Sequence, residues 1–372
     1  MSSEFAEGKF APVMGVPQIV RKVENFVSVL ELPAWAVELQ NSSLLPEAIV
    51  IAAPLSYCAG VVRANQAADE LLAKHPNQRV YFYHAPIHND TKLAEWEAKG
   101  AVVVGSLDDV QDHSIVLFSA HGVSPQIWLE AKAKHLKGKD ATCPLVDKTH
   151  REVKELREQG YTILLVGHCD HDEIVGTFGE APDNIIVVNP HMKREELNTA
   201  LESLKDKPIA VRNQTTLAVS DLLDLISYIK KIRPDVNLAK KSDICYATEN
   251  RQKAILETIA SSEVDLMIIF GSGPNTRQPS SNSIRLREIV ESLDVDVASH
   301  LVEDISEIQA KWFDGVKTVG ISAGASADPK RMAEFLAVAR SIGLRNNQIV
   351  RIEVDEELQV FAPACDFDFS KD

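Results

Sequence analysis

From Ala48 onward the chain repeats one pattern: a short apolar run rich in β-branched residues, then a stretch with helical spacing of apolar positions. The runs are "AIVIAAP", "RVYFYHAP", "SIVLFSAH", "YTILLVGH", "NIIVVNP", "PIAVRNQ", "DLMIIFGS" and "KTVGISAG". Several are apolar almost without a break, as strands buried on both faces must be. Between them lie stretches such as "RANQAADELLAKH" and "THREVKELREQG". This alternation predicts an α/β fold with mostly parallel sheets, in which ligands meet the loops at the strand ends.

Those ends read "PIHN", "SAHG", "GHCDHDE", "NQTT", "GSGPN" and "SAGAS". One such end is ordinary turn chemistry. Six in one chain predict convergence on a shared polar site. Charge narrows what that site can serve. With 39 Lys and Arg against 54 Asp and Glu, the formal net charge is −15. A general nucleic-acid or anionic-membrane binder needs a basic face, so both partners are excluded, whereas a small anionic ligand is not. No apolar run approaches a membrane span. The N-terminus carries Glu4 and Glu7 and lacks the pattern of a secretory or transit signal, which reads as a cytoplasmic protein.

Five cysteines are too few for a disulfide scaffold. Three of them share a context. Cys58, Cys143 and Cys245 each precede a helix-like run, with a basic residue five or six positions on: Arg63, Lys148 and Arg251. At a helix N-terminus, free N–H groups and the dipole favour the thiolate, which is the metal-binding form. The three are too widely spaced for a local zinc motif. If they meet, each comes from one of three similar α/β units about a pseudo-threefold axis. The site would then be Cys₃His zinc, or an iron–sulfur cluster with one iron left open. A lone cysteine of this kind is more often a small buried hydrophobe. Cys169 and Cys365 lack the shared context and are expected not to be ligands.

In chain order the sequence contains "CAGVVRA", "PIHN", "SAHGVS", "DATCPLV", "GHCDHDEIVGT", "NQTTLAVSD", "DICYATENRQ", "SSNSIRL" and "GISAGAS". This set closely resembles the 4-hydroxy-3-methylbut-2-enyl diphosphate reductases, the IspH/LytB family, over roughly residues 48 to 345. The resemblance implies a trefoil of three α/β domains around a central [4Fe-4S] cluster. The units would be 48–145 with Cys58, 146–240 with Cys143 at its start, and 241–345 with Cys245. Residues 1–47 would be an extension, helical over "PQIVRKVENFVSVL" and packed on the body, and 346–372 a tail.

The implied activity is reductive dehydroxylation of an allylic alcohol diphosphate to isopentenyl and dimethylallyl diphosphates, the last step of the methylerythritol phosphate route. The implied electron donor is a ferredoxin or flavodoxin. By motif, Cys58, Cys143 and Cys245 would hold three irons and leave one open to the substrate hydroxyl. His88, His121 and His171 would surround the substrate. His88 and His121 would donate to the diphosphate together with Ser280, Ser281, Asn282 and Ser326. Glu173 would be the proton donor, with His171 and Thr215 beside it.

The chemistry asks for such a set independently. A diphosphate needs convergent donors, and a departing hydroxyl needs an acid. In "HDEIVGT" an extended chain would point His171 and Glu173 the same way. Neighbouring negative charge would raise the Glu173 pKa. The chain departs from the family in "PLSY" before Cys58, in Val62, in Asp172 where proline is common, and in a longer loop "GSGPNTRQPSSNS". Two other readings remain at this point: a paralogue acting on another allylic or phosphorylated alcohol, and a non-enzymatic metal or redox sensor.

Overall fold

The computed structural model describes residues 32–42, 45–239, 243–344, 348–353 and 360–370. Its first part runs α1 (Ala34–Ser42), β1 (Ala48–Ala53), α2 (Ala59–Lys74), β2 (Val80–Tyr83), α3 (Asp90–Glu97), β3 (Ala101–Val104), β4 (Ile115–Phe118), α4 (Pro125–Ala133) and β5 (Lys137–Asp140). Then follow α5 (Pro144–Glu158), β6 (Thr162–Val166), α6 (Asp172–Phe178), β7 (Ile185–Val188), α7 (Arg194–Ser203), β8 (Ile209–Asn213) and α8 (Val219–Ile232). The last part holds α9 (Tyr246–Ser261), β9 (Leu266–Phe270), α10 (Ser281–Ser292), β10 (Ala298–Val302), β11 (Thr318–Ala323), α11 (Pro329–Ser341), β12 (Ile349–Glu353) and β13 (Cys365–Asp368).

Three sheets result, ordered β10-β9-β11-β1-β12, β13-β5-β4-β2-β3 and β7-β6-β8. Every named strand pair is parallel except β13 with β5. The expected α/β trefoil is therefore the architecture. All eight quoted runs are strands. Burial explains them: β4, β8 and β9 are buried at every position, so only apolar or fully bonded side chains fit there.

The units exchange strands, which simple cuts at 145, 240 and 345 do not anticipate. β1 precedes Cys58 yet pairs with β11 and β12 rather than with β2 or β4. Its "IVIAA" run is apolar on both faces and completes the middle of the third unit's sheet. The segment read as a tail supplies β12 to that sheet and β13 to the sheet of β2 to β5. The run Pro17–Leu30, expected to be helical, lies outside the described residues. Within the extension, Pro33 precedes a helix. Its carbonyl accepts from the Ala36 N–H, and α1 buries Trp35 between Phe313 and Phe335.

β5 has the charged sequence "KGKD", which no strand pattern picks out. Its place is set by packing at Gly138, where a Cβ would sit 1.7 Å from the Val116 carbonyl oxygen of β4. Only glycine lets the two backbones approach so closely. Gly138→Ala should therefore destabilise the fold by at least about 1–3 kcal/mol, the usual cost of overpacking. Thermal unfolding checks this, and an unchanged midpoint would contradict the pairing.

Candidate active site

The three sheets direct their loops at one cavity with about 690 Å³ of empty space, part of it open to solvent. Cys58, Cys143 and Cys245 all line it, and they are the N-cap residues of α2, α5 and α9. Each cysteine N–H donates to a carbonyl at a strand end: Cys58 to Ala325 at 3.2 Å, Cys143 to Ala120 at 2.9 Å and Cys245 to Thr215 at 2.9 Å. The same device recurs in all three units. Gly60 leaves the space between sulfurs clear, since a Cβ there would lie 3.0 Å from the Cys143 sulfur and 3.8 Å from that of Cys58.

The basic residue after each cysteine reaches forward to the next one. Arg63 on α2 donates to the Thr142 carbonyl at 2.7 Å, just before Cys143. Lys148 on α5 bonds Asp243 at 2.9 Å, two residues before Cys245. Arg251 on α9 donates to the Ser56 carbonyl at 2.5 Å, two residues before Cys58. The three contacts close a ring around the cavity.

At Cys143 and Cys245 the helix start does not make the thiol acidic as expected. Burial outweighs the N–H groups and pushes Cys143 up to about 12 and Cys245 up to about 11. Such thiols stay protonated near neutral pH until a metal cation displaces the proton. Among the described residues, no group of three His, Cys, Asp or Glu is placed to hold a single metal ion. Three soft sulfur donors on rigid helix starts, around a space kept clear by glycine, do fit a larger sulfide-bridged group. Cys169 and Cys365 are exposed, and neither lines the cavity.

The same cavity collects His88, His121, His171, Glu173, Thr215, Ser280, Ser281, Asn282 and Ser326. Three imidazoles crowd together, with ring centroids 4.6 Å apart for His88 and His121, 5.7 Å for His88 and His171, and 5.6 Å for His121 and His171. Burial holds all three below the usual imidazole value, so they are neutral near pH 7. His88 has both ring nitrogens buried without a partner, and His171 has Nε2 so. His171 Nδ1 accepts from the Glu173 N–H at 3.2 Å. Its proton must then sit on Nε2, a donor waiting for an acceptor.

Ser280 caps α10 and accepts from the Ser283 N–H and hydroxyl, which frees its own hydrogen to donate. With the first N–H groups of α10, this makes an anion-receptive helix start. Ser326 donates to the His88 carbonyl at 2.9 Å and would have to turn to meet a ligand. Asn282 is tied to the frame. Its amide donates to Thr248 Oγ1 at 3.0 Å and accepts from the Ala325 N–H at 2.8 Å, while Thr248 Oγ1 lies 3.0 Å from the Cys245 sulfur. Thr248 was not picked out from sequence; its signal is the three-residue step from Cys245 along one helix face.

Glu173 is 2% exposed. Its carboxyl accepts from the Thr215 N–H at 2.7 Å and the Thr215 hydroxyl at 2.9 Å. Burial raises its pKa to about 7 despite those bonds. Desolvation, more than neighbouring negative charge, is the cause. Nor is the chain extended here: His171 is the N-cap of α6 and Glu173 lies in its first turn.

A family model described as "LytB protein" matches residues 49–339. The 4-hydroxy-3-methylbut-2-enyl diphosphate reductase of Acidothermus cellulolyticus is 40% identical over 316 residues, covering 84% of this chain and 88% of that protein. The reductase of the same name from Zymomonas mobilis subsp. mobilis is 39% identical, covering 79% and 83%. The solved E-1-hydroxy-2-methyl-but-2-enyl-4-diphosphate reductase of Plasmodium falciparum superposes with a TM-score of 0.75 at 29% identity, covering 84% of this chain and 93% of that one.

The ring of basic contacts makes a stability prediction. Lys148→Met leaves Asp243, whose side chain is 0% exposed, with Arg212 at 4.0 Å as its remaining ion-pair partner among the described residues. An under-satisfied buried carboxylate costs about 1–3 kcal/mol. The lower end applies here, because Lys148 is 38% exposed and partly screened. Urea unfolding should show the loss, and adding Asp243→Asn should recover part of it. A wild-type midpoint for Lys148→Met would mean that the contact does not stabilise the frame.

Proposed function

This chain belongs to the LytB family, and from that premise we propose that it is a reductase which removes the hydroxyl of 4-hydroxy-3-methylbut-2-enyl diphosphate. The net change consumes two electrons and two protons and releases isopentenyl or dimethylallyl diphosphate and water. The observation that carries the reading is Glu173: a buried carboxyl with a pKa near 7, fixed by Thr215 at the wall of a cavity that also holds three cysteines.

A [4Fe-4S] cluster held by Cys58, Cys143 and Cys245 would supply Lewis acidity at its open iron and the electrons, drawn from a ferredoxin- or flavodoxin-type donor. The chain's own residues do the rest. The diphosphate lies among His88, His121, Ser280, Ser281, Asn282 and Ser326, where no lysine or arginine lines the wall among the described residues. His171 offers its Nε2–H to the substrate. Glu173 transfers its proton to the leaving hydroxyl oxygen, and Thr215 keeps the resulting carboxylate oriented through two hydrogen bonds. What supports the assignment of an acid is the direction of the pKa shift, since an ordinary glutamate would have no proton to give at pH 7.

No helix among the described residues is long and apolar enough to cross a membrane.

Anaerobic reconstitution with iron and sulfide, then assay on the alcohol diphosphate with an artificial reductant, tests the reading. Glu173→Gln should keep the absorption of the loaded protein and its substrate affinity, yet turn over at least ~100-fold more slowly. Wild-type turnover should fall as pH rises through about 7, because the raised pKa keeps the acid protonated below that value and ionised above it. Near-normal turnover by Glu173→Gln would remove the carboxyl from proton transfer.

A further inference from the structure

Asp172 meets the histidine cluster from behind. Its Oδ1 lies 2.6 Å from His84 Nδ1 and its Oδ2 3.8 Å from His121 Nδ1. His121 Nδ1 is also 3.2 Å from Ser119 Oγ. Two cavities meet here. His121 lines the cavity of the cysteines, while His84, Asp172 and Ser119 line a second, separate pocket. Both members of the pair touch solvent, with side chains 29% and 28% exposed. The imidazoles of His88 and His171 and the Tyr83 phenol also face this carboxylate or its partner. Asp172 thus lies beside both His84 and His121, and its charge acts to raise His88 and His171 against their burial.

This placement resolves a difficulty in the diphosphate reading. Three buried, neutral imidazoles are poor partners for a multiply charged anion. Imidazolium would bind far better, but a charged ring is costly in an empty buried site. We propose that the Asp172–His84 pair serves as a proton-supplying dyad for His121, so that a diphosphate enters together with one proton, taken from water in the outer pocket and held on His121. The proton adds to neutral imidazole and gives imidazolium. No other bond is made or broken, and the proton returns to water when the anion leaves. The carboxylate stabilises the new charge, and its short contact with His84 holds it in place while the site is empty. Asp172 is a positioning residue here, acting through His121. The inference rests on the cavity being a diphosphate site but not on any reduction taking place there.

Inorganic pyrophosphate is the probe, titrated calorimetrically into the anaerobically reconstituted protein in buffers of differing ionisation enthalpy. Wild type should take up on the order of one proton per pyrophosphate at pH 7. Affinity should be full at low pH and fall as pH rises through the value that His121 has in the complex. Asp172→Asn should lower the uptake, weaken binding about tenfold at pH 7, the worth of one pH unit of imidazole charge, and move the fall to lower pH. His84→Asn should move it to higher pH, because Asp172 then acts on His121 without compensation. Asn is the replacement of choice, since His84 has φ of 59° and Asn tolerates that region. A purely structural pair would shift both variants the same way. Pyrophosphate binding without proton uptake, or tighter binding by Asp172→Asn, overturns the dyad and leaves the diphosphate site standing. Absence of pyrophosphate binding by wild type overturns both.

Discussion

Three basic side chains hold the centre of this molecule together. Arg63, Lys148 and Arg251 each leave the helix that one cysteine begins and fasten the segment leading to the next. Three ligands so distant in sequence can share a site only if three helix starts are fixed relative to one another. The backbone supplies half of that constraint, through cysteine N–H bonds to Ala325, Ala120 and Thr215. The side-chain ring supplies the other half and crosses every unit boundary. Its cost is kept low by saturation: Arg251, 1% exposed, also donates to the carbonyls of Ala247 and Ala323. A buried guanidinium is tolerable only with its donors used.

Inside that ring one physical effect sets every proton. Desolvation disfavours charge, so it raises the thiols of Cys143 and Cys245, lowers His88, His121 and His171, and raises Glu173. The site at rest is close to neutral although the protein carries −15. It is also unsatisfied, with orphan nitrogens on His88 and His171. A neutral, donor-rich, unsatisfied cavity agrees with the proposed ligands, which would bring the charge themselves: metal cations on the sulfur side and an anion on the histidine side.

Much of this was legible in the sequence, for a stated reason. Strands buried on both faces must be apolar throughout, so β1, β2, β4, β6, β7, β8, β9 and β11 announce themselves. Their polar ends follow from the parallel sheet, which sends every such loop to one side. β5 was illegible because "KGKD" becomes a strand only through Gly138 against β4 and the edge partner β13. The membership of β1 was also hidden, since local sequence says that a strand is buried and not in which sheet. Pattern located the cysteines and Glu173 and gave the upward direction of the Glu173 pKa, but it assigned that shift to neighbouring charge and missed the raised thiols of Cys143 and Cys245. The helix start at Cys143 is visible in "TCPLV", whereas the burial that overrides it depends on neighbours far along the chain. The pairing of Asp172 with His84 is long-range in the same sense.

Asn282 shows why such sites resist a division into scaffold and ligand donors. Its motif position marks it as a diphosphate donor, and its side chain does border the cavity. The amide is meanwhile the middle of a chain from the Cys245 sulfur through Thr248 Oγ1 to the Ala325 N–H, and the Ala325 carbonyl accepts from Cys58. Two cysteines are thus joined through a residue on the anion side. One amide hydrogen and part of the carbonyl remain for a ligand. A ligand that engages them pulls on the same hydrogen-bonded chain that orients Cys58 and Cys245. On the proposed reading, occupancy of the anion side would therefore bear on the geometry of the sulfur side. That coupling follows from a cavity so small that three units must build both halves with the same few residues.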